Sequence, residues 1–118
     1  MFDDRLCSQD CFQYSGGKGG DKWKTKVERY LVTQVPLLKG LLRWAEVEDF
    51  GDECHISVEQ IGRAVGAKLN PETLEILNAR IWGFIANCLS GEAELMFKDT
   101  QDLNGIDAWR MVCRMVDQ

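Results

Sequence analysis

Apolar side chains recur along this chain at helical spacing. Trp23, Val27, Tyr30 and Leu31 stand at positions i, i+4, i+7 and i+8, which places them on one face of a helix. Comparable apolar stripes run through residues 38–45, 74–88 and 106–116, and shorter helices are predicted near residues 57–66 and 92–98. Because every periodic segment has helical spacing, the sequence predicts an all-α fold, a single compact bundle of five to six helices.

Residue types that commonly begin helices stand at the predicted helix starts. Asp21 is predicted to cap the first helix, and Pro36 is predicted to begin the second. The stretch "SVEQ", residues 57–60, is a capping box, in which a serine and a glutamine each satisfy a backbone amide of the other. Asn70-Pro71 marks the start of the longest predicted helix. Asn104 is predicted to cap the last one.

Glycines interrupt the chain before the first helix. The stretch "SGGKGGD" has four glycines among residues 16–20, so residues 1–21 are predicted to be a flexible N-terminal arm. Residues 22–118 form the predicted helical domain. Within it, residues 46–56 are a predicted linker, in which "EVEDFGDECH" contains five acids and no lysine or arginine.

The composition narrows the possible partners. The chain has 118 residues, enough for one domain with a sizeable core, and a net charge of −5, which does not favour a phosphate-binding surface. No apolar run approaches the length of a membrane span, and the N-terminus "MFDDRLCSQD" lacks the basic and apolar regions of a secretion signal. The sequence therefore predicts a cytoplasmic protein with no membrane partner.

The five cysteines are scattered and odd in number, which does not suggest a disulfide framework. Cys88 and Cys113 lie on apolar stripes and are predicted to be small core residues. A zinc site would have to combine the other cysteines with the single histidine, namely Cys7, Cys11, Cys54 and His55. Structural zinc sites usually have tighter paired spacings, so no metal is predicted.

Several short stretches resemble parts of catalytic motifs without the rest of the motif. "SGGKGGD" lacks the spacing of a phosphate-binding loop, and no apolar strand precedes it. Cys54 and His55 are sequence neighbours, whose side chains rarely meet as a nucleophile and its base. The sequence therefore predicts neither enzymatic activity nor a cofactor. The tryptophans could line a ligand cage, but their registers favour packing, and three are predicted to anchor the core: Trp23, Trp82 and Trp109.

The last forty residues, "ARIWGFIANCLSGEAELMFKDTQDLNGIDAWRMVCRMVDQ", contain an ordered set of features. A helix with the aromatic residues Trp82 and Phe84 is followed by a small-residue break and a polar loop. The last helix then begins with the pattern G-x-x-A-W at residues 105–109 and continues with basic residues. Nearer the start stand "FQYSGGKGGDKWKTKVERYL" and "LLRWAE". Over residues 12–118, with a variable middle, this order resembles the Gag polyprotein of copia-type retrotransposons.

The resemblance implies a structural role. Gag proteins of this kind are capsid proteins, which self-associate into particles that enclose the RNA of the element. It implies that this chain is a capsid-like N-terminal region with Trp109 in its core, either excised from a retrotransposon Gag or a domesticated remnant. In the family a zinc knuckle follows further along, so a contact with RNA is expected only through such downstream regions. The alternative is a domesticated adaptor, whose helical core presents a groove to a partner protein.

The distribution of charge suggests how copies would meet. Lysines crowd the first helix and acids crowd the linker, so a basic end of one molecule could contact the acidic loop of the next. Head-to-tail contacts of this kind build rings or open lattices. They are expected to be weak and sensitive to salt. The predicted self-association residues are Lys22, Lys24, Lys26, Glu48, Asp49 and Asp52.

Overall fold

The computed structural model describes residues 2–47, 55–98, 100 and 102–116. Within these residues the chain forms six α-helices: α1 (Gly20–Gln34), α2 (Leu38–Val47), α3 (Val58–Val65), α4 (Pro71–Asn87), α5 (Gly91–Phe97) and α6 (Gly105–Val116). Short 3-10 helices occupy Asp4–Ser8, Asp10–Phe12 and Gly66–Lys68. An isolated bridge between Tyr14 and Leu89 is the β pairing found in the described part of the chain. The predicted all-α single bundle is confirmed.

Two helix starts follow the residues that predicted them. The Ser57 hydroxyl accepts a hydrogen bond from the Gln60 backbone N–H at 3.1 Å, and the Gln60 side chain accepts one from the Ser57 N–H at 2.8 Å. The predicted capping box therefore begins α3. Asn70 accepts from the Thr73 N–H at 2.8 Å, with Pro71 as the first residue of α4. Proline suits this position because an N–H in the first turn would have no acceptor within the helix, so its absence costs no hydrogen bond.

The start of α1 differs from the prediction. The helix begins at Gly20 with Gly19 at its N-cap, so Asp21 lies inside the first turn and does not cap it. Gly19 has φ 90°, a left-handed conformation that glycine adopts without steric penalty. The second helix likewise begins at Leu38, after a turn at Pro36.

Residues 2–19, where the sequence predicts a flexible arm, lie against the bundle and contribute to its core. Cys7, Phe12 and Tyr14 are buried. The Tyr14 N–H donates to the Cys88 carbonyl at 3.0 Å, and the Ser90 N–H donates to the Tyr14 carbonyl at 3.0 Å. The segment therefore pairs with the chain between α4 and α5. This arrangement covers apolar side chains that an extended arm would leave in water.

The centre of the bundle is α6, which packs against α2 and α4. Residues 105–110 are all buried, and Trp109 stacks on Trp23 of α1 with ring centroids 6.2 Å apart. Trp82 is only partly buried, with its ring against Phe97 at 5.4 Å. Cys88 is a buried core residue as predicted, and so is Cys113 of α6. None of the described helices is long and apolar enough to cross a membrane.

Candidate functional site

The G-x-x-A-W stretch, on which the Gag resemblance depends, lies at the buried start of α6. The Asn104 side-chain oxygen accepts hydrogen bonds from the Asp107 N–H at 3.3 Å and from the Asn78 side-chain amide at 3.1 Å. The Asn78 oxygen accepts in turn from the Ile106 N–H at 2.9 Å. A side chain of α4 therefore satisfies an amide that the first turn of α6 leaves without a helical partner.

The buried Asp107 carboxylate ties the start of α3 to α6. It accepts a hydrogen bond from the Ile56 N–H at 2.8 Å, and its other oxygen lies 2.8 Å from His55 Nδ1. Asn104 completes the connection by donating to the Ile56 carbonyl at 2.9 Å. A histidine–aspartate pair also occurs in catalytic sites. In this domain both oxygens of the carboxylate contact residues 55 and 56, so Asp107 positions the chain before α3.

Gly105 lies where α6 crosses α4 at short range. A Cβ atom at this position would be 2.5 Å from the Asn78 carbonyl oxygen and 2.5 Å from the Trp82 backbone nitrogen. The next members of the motif, Ala108 and Trp109, are fully buried. The residues that carry the resemblance therefore cap, pack and fill the core of this domain.

The predicted basic surface on α1 is only partly available to another molecule. Lys22 and Lys26 are exposed, but the Lys24 ammonium lies 2.6 Å from a carboxylate oxygen of Glu46 in α2. The Trp109 indole N–H reaches the other oxygen of Glu46 at 3.4 Å. Lys24 is therefore paired within its own molecule, because α1 lies beside the end of α2. The predicted acidic partners, Glu48, Asp49 and Asp52, lie outside the described residues.

Glu28 adds a second carboxyl group to this contact between α1 and α2. Burial raises the pKa of the Glu28 carboxyl, repulsion from Glu46 raises it further, and attraction to Lys24 and Arg43 only partly opposes both. Because folding raises this pKa, the ionised form of Glu28 destabilises the native state. Stability is therefore gained as the pH falls through the raised value toward the ordinary value of 4.5.

Glu28→Gln is expected to raise the melting temperature slightly at pH 7, since glutamine removes a partly buried charge that lies near Glu46. The advantage over the unmodified chain should shrink as the pH falls and vanish below the ordinary carboxyl pKa, where Glu28 is neutral. Thermal unfolding at pH 7 and at a pH below the ordinary carboxyl pKa of 4.5 measures this difference in melting temperature. Glu75→Gln is the control, because Glu75 is an exposed residue of α4. A less stable Glu28→Gln at pH 7 would mean that attraction to Lys24 and Arg43 outweighs burial.

The short helix α5 exposes apolar side chains that the sequence prediction overlooked. Its buried residues are Ala93 and Phe97, four positions apart and on one face. Leu95 and Met96 are 62% and 45% exposed. The stretch "GEAELMF" contains a signal for this, since residues 95–97 are consecutive apolar positions and one short helix cannot bury all three on the same side.

Met115 of α6 joins two neighbouring depressions on the surface. It lines a shallow groove with Met96 and Met111, and it also lines a wider depression that Lys18 and Lys22 border. We refer to these five residues as the α5–α6 surface. Its apolar centre of methionines continues into a charged rim, in which Lys18 and Lys22 outnumber the exposed Asp21. Protein interfaces have this anatomy, with methionine enriched and polar residues around the edge.

A second groove lies between α2 and α3 and has a volume of about 260 Å³. It is a partly open depression with one basic side chain among apolar ones. The residues that line it are Leu37, Gly40, Leu41, Trp44, Ala64, Val65 and Lys68. Its size suits one or two side chains of a partner protein.

The cysteines considered for a zinc site have different surroundings. Cys7 is buried in the core and Cys11 is exposed, while Cys54 lies outside the described residues. His55 faces Asp107. Across residues 2–47 and 55–116, as far as they are described, no group of three or more histidine, cysteine, aspartate or glutamate side chains could hold a metal ion.

The fold and these surfaces define a class of protein, an all-α domain with a buried polar network at its centre and an exposed apolar–basic surface. No protein-family model, no curated protein and no solved structure matches the chain. We therefore infer the function from the chemistry of this chain's own residues and from the resemblance in its sequence.

Proposed function

We propose that this chain is a structural module that associates with copies of itself, in the manner of the capsid region of a copia-type Gag polyprotein. The observation that carries the proposal is the α5–α6 surface. Met96 is 45% exposed at its centre, beside Met111 and Met115. Burying these flexible, apolar side chains against a second molecule would remove them from water, and methionine adapts to varied partner shapes.

The residues that resemble Gag support a structural role. Asn104 caps α6, Gly105 lets it approach α4, and Trp109 fills the centre of the core. In this proposal the chain is part of a retrotransposon Gag or a domesticated remnant of one. It acts in the cytoplasm, without catalysis or a cofactor, and its partner is another copy of itself. Contact with RNA belongs to downstream regions of such a polyprotein.

Charge is proposed to orient the copies. Lys18 and Lys22 border the methionines of the α5–α6 surface, and Lys26 follows one turn further along α1. An acidic stretch around Glu48, Asp49 and Asp52 of a second molecule would complement this rim. A surface that meets a different surface of its copy forms a head-to-tail contact, which propagates into rings or open lattices. Lys24 has no part in this contact, because Glu46 already holds it.

The double substitution Met96→Gln with Met115→Gln is expected to weaken self-association. Glutamine keeps the length of the side chain but must be desolvated on burial, so the dissociation constant should rise by roughly tenfold or more. Light scattering coupled to size-exclusion chromatography, over a series of concentrations, measures the effect. Ile76→Gln is the matched control, because Ile76 is a 55% exposed aliphatic residue of α4 outside the α5–α6 surface.

The outcome separates the two contributions to the interface. Equal association of the double variant and the control would remove the α5–α6 surface from the proposal. Raising the salt concentration should weaken association only moderately, because exposed ion pairs are screened whereas apolar burial is not. Lys22→Glu combined with Lys26→Glu should weaken association more than salt does, because salt only screens the attraction whereas the reversed charges repel the acidic stretch. Association that salt abolishes entirely would instead assign the contact to charge alone.

A groove-binding adaptor is the second candidate, and the depression between α2 and α3 favours it. Trp44 and Leu41 offer an aromatic and an aliphatic wall to an inserted side chain. Peptides selected against the folded chain from a random library are expected to bind there under this alternative. Loss of their binding in Trp44→Ala, together with a chain that remains monomeric, would favour the adaptor over the capsid-like module.

A further inference from the structure

Two buried thiols from distant parts of the chain lie next to each other. Cys7, in the 3-10 helix Asp4–Ser8, and Cys88, directly after α4, have their sulfur atoms 3.2 Å apart. Neither cysteine is part of a disulfide, and both are buried, at 3% and 0% exposure. A disulfide requires a sulfur–sulfur distance near 2.0 Å, so the two sulfurs would need to approach by roughly 1.2 Å.

We propose that Cys7 and Cys88 form an oxidation site, at which exchange with a small-molecule disulfide creates a bond between the N-terminal segment and the end of α4. A Cys7 thiolate attacks the disulfide and forms a mixed disulfide, releasing one small thiolate. The Cys88 thiolate then attacks the Cys7 sulfur and releases the second. The two protein thiols lose two electrons and two protons, and the small disulfide is reduced to two thiols.

Hydrogen bonds hold the two segments in the register that this bond requires. The Tyr14 N–H donates to the carbonyl of Cys88 itself, and the Gln13 side-chain amide donates to the Asn87 carbonyl at 2.8 Å. The Cys7 thiol points toward the Phe84 carbonyl at 3.7 Å. These three contacts, all within the last turn of α4 and the residue after it, align the N-terminal segment with the end of that helix. The folded state places the thiols together before any oxidant arrives.

Burial determines how the site reacts. A small disulfide reaches Cys7 only when residues 2–14 lift from the bundle, whereas Cys11 is exposed throughout. Exchange in the native state is therefore slow at Cys7 and fast at Cys11. Once formed, the Cys7–Cys88 bond prevents the N-terminal segment from detaching. The oxidation state of this thiol pair thus decides whether the segment can leave the core.

The oxidised chain is expected to melt roughly 10 °C higher than the reduced chain. The bond closes a loop between residues 81 positions apart, and long loops restrict the unfolded chain most. The test refolds the full chain from urea in a buffer of reduced and oxidised glutathione, so that access to the thiols is not limiting. Free thiols are then alkylated, and tryptic peptides are separated without reduction.

Peptides 6–18 and 81–98 should emerge as one linked species. Peptide 6–18 contains both Cys7 and Cys11, so the link must persist in Cys11→Ser and disappear in Cys7→Ser. The difference in melting temperature between oxidised and reduced protein should follow the link through these variants. A link that survives in Cys7→Ser, a link to another cysteine-containing peptide, or refolded protein with both thiols free would overturn the proposal. The result with Cys11→Ser decides the assignment even where Cys7→Ser fails to fold.

Discussion

Trp109→Ala is expected to lower the free energy of unfolding by about 3–5 kcal/mol, the usual range for truncating a fully buried large aromatic. Trp109 has no exposed surface, and its ring stacks on Trp23 with centroids 6.2 Å apart. Alanine would remove these contacts and leave a cavity where α1, α2 and α6 meet. It would also remove the indole N–H that reaches Glu46 at 3.4 Å. Urea unfolding followed by circular dichroism measures the loss.

Trp82→Ala is the matched control, because Trp82 is a tryptophan of α4 that is only partly buried. Its truncation should cost clearly less than that of Trp109, although it loses the contact with Phe97 and the bond from its indole N–H to the Thr100 hydroxyl at 3.3 Å. A loss below about 1 kcal/mol for Trp109→Ala is what a surface substitution produces, and it would contradict the central position of α6.

Gly105→Ala is expected to be the second severe change, although it adds a single methyl group. The added carbon would lie 2.5 Å from the Asn78 carbonyl oxygen and 2.6 Å from the Ile81 Cβ. Because a helix backbone cannot turn aside as a side chain can, α4 and α6 would have to separate and break the hydrogen bond from the Ile106 N–H to Asn78. We expect a loss of about 3 kcal/mol or more in the free energy of unfolding, at the upper end of overpacking effects.

Gly83→Ala is the matched control for Gly105→Ala, and it is expected to stabilise the fold and not to destabilise it. Gly83 lies inside α4, and an added Cβ would meet no atom within 4 Å. Alanine there should stabilise the fold by up to about 1 kcal/mol through its higher helix propensity. If Gly105→Ala were equally harmless, the close crossing of α4 and α6 would be wrong. Chemical unfolding of both variants under one set of conditions makes the comparison.

Local signals predicted the helices well because their causes lie within a few residues. The capping box at Ser57 and the Asn70-Pro71 start act on amides of the next turn, so neighbouring residues contain the information. The prediction for Asp21 was wrong because α1 begins one residue earlier. Gly19 stands at the N-cap in a left-handed conformation, and Gly20 follows as the first helical residue. Gly20 also lies close to Val116 of the last helix, a contact that the residues around Asp21 do not indicate.

Contacts between distant segments were beyond the sequence alone. The bond between Asn78 and Asn104 joins residues 26 positions apart, and it exists only because α4 and α6 cross there. The sequence assigned Lys24 to an exposed basic surface. It could not reveal the ion pair with Glu46, because Glu46 belongs to another helix. The apolar face of α5 could have been anticipated from "GEAELMF", but its connection to Met115 and Lys22 depends on how α6 and α1 meet.

The buried polar network, the α5–α6 surface and the thiol pair have different roles in the domain. The network around Asn104 and Asp107 fixes the interior, and the α5–α6 surface faces outward. The N-terminal segment contacts the end of α4 through Cys7, and Gly20, the first residue of α1, lies close to the end of α6. Oxidation of the thiol pair would therefore change how firmly the segment beside Lys18 is held, without altering the charge or apolarity of the α5–α6 surface.

Sedimentation velocity of the unmodified chain, from micromolar to millimolar concentration and at low salt, tests self-association most directly. The capsid-like proposal predicts a monomer at the lowest concentrations and a continuous, reversible shift to faster-sedimenting species as the concentration rises. A head-to-tail contact should not stop at a dimer, because each added copy leaves a surface open for the next. A single sedimentation coefficient corresponding to a monomer across the whole series would contradict the proposal.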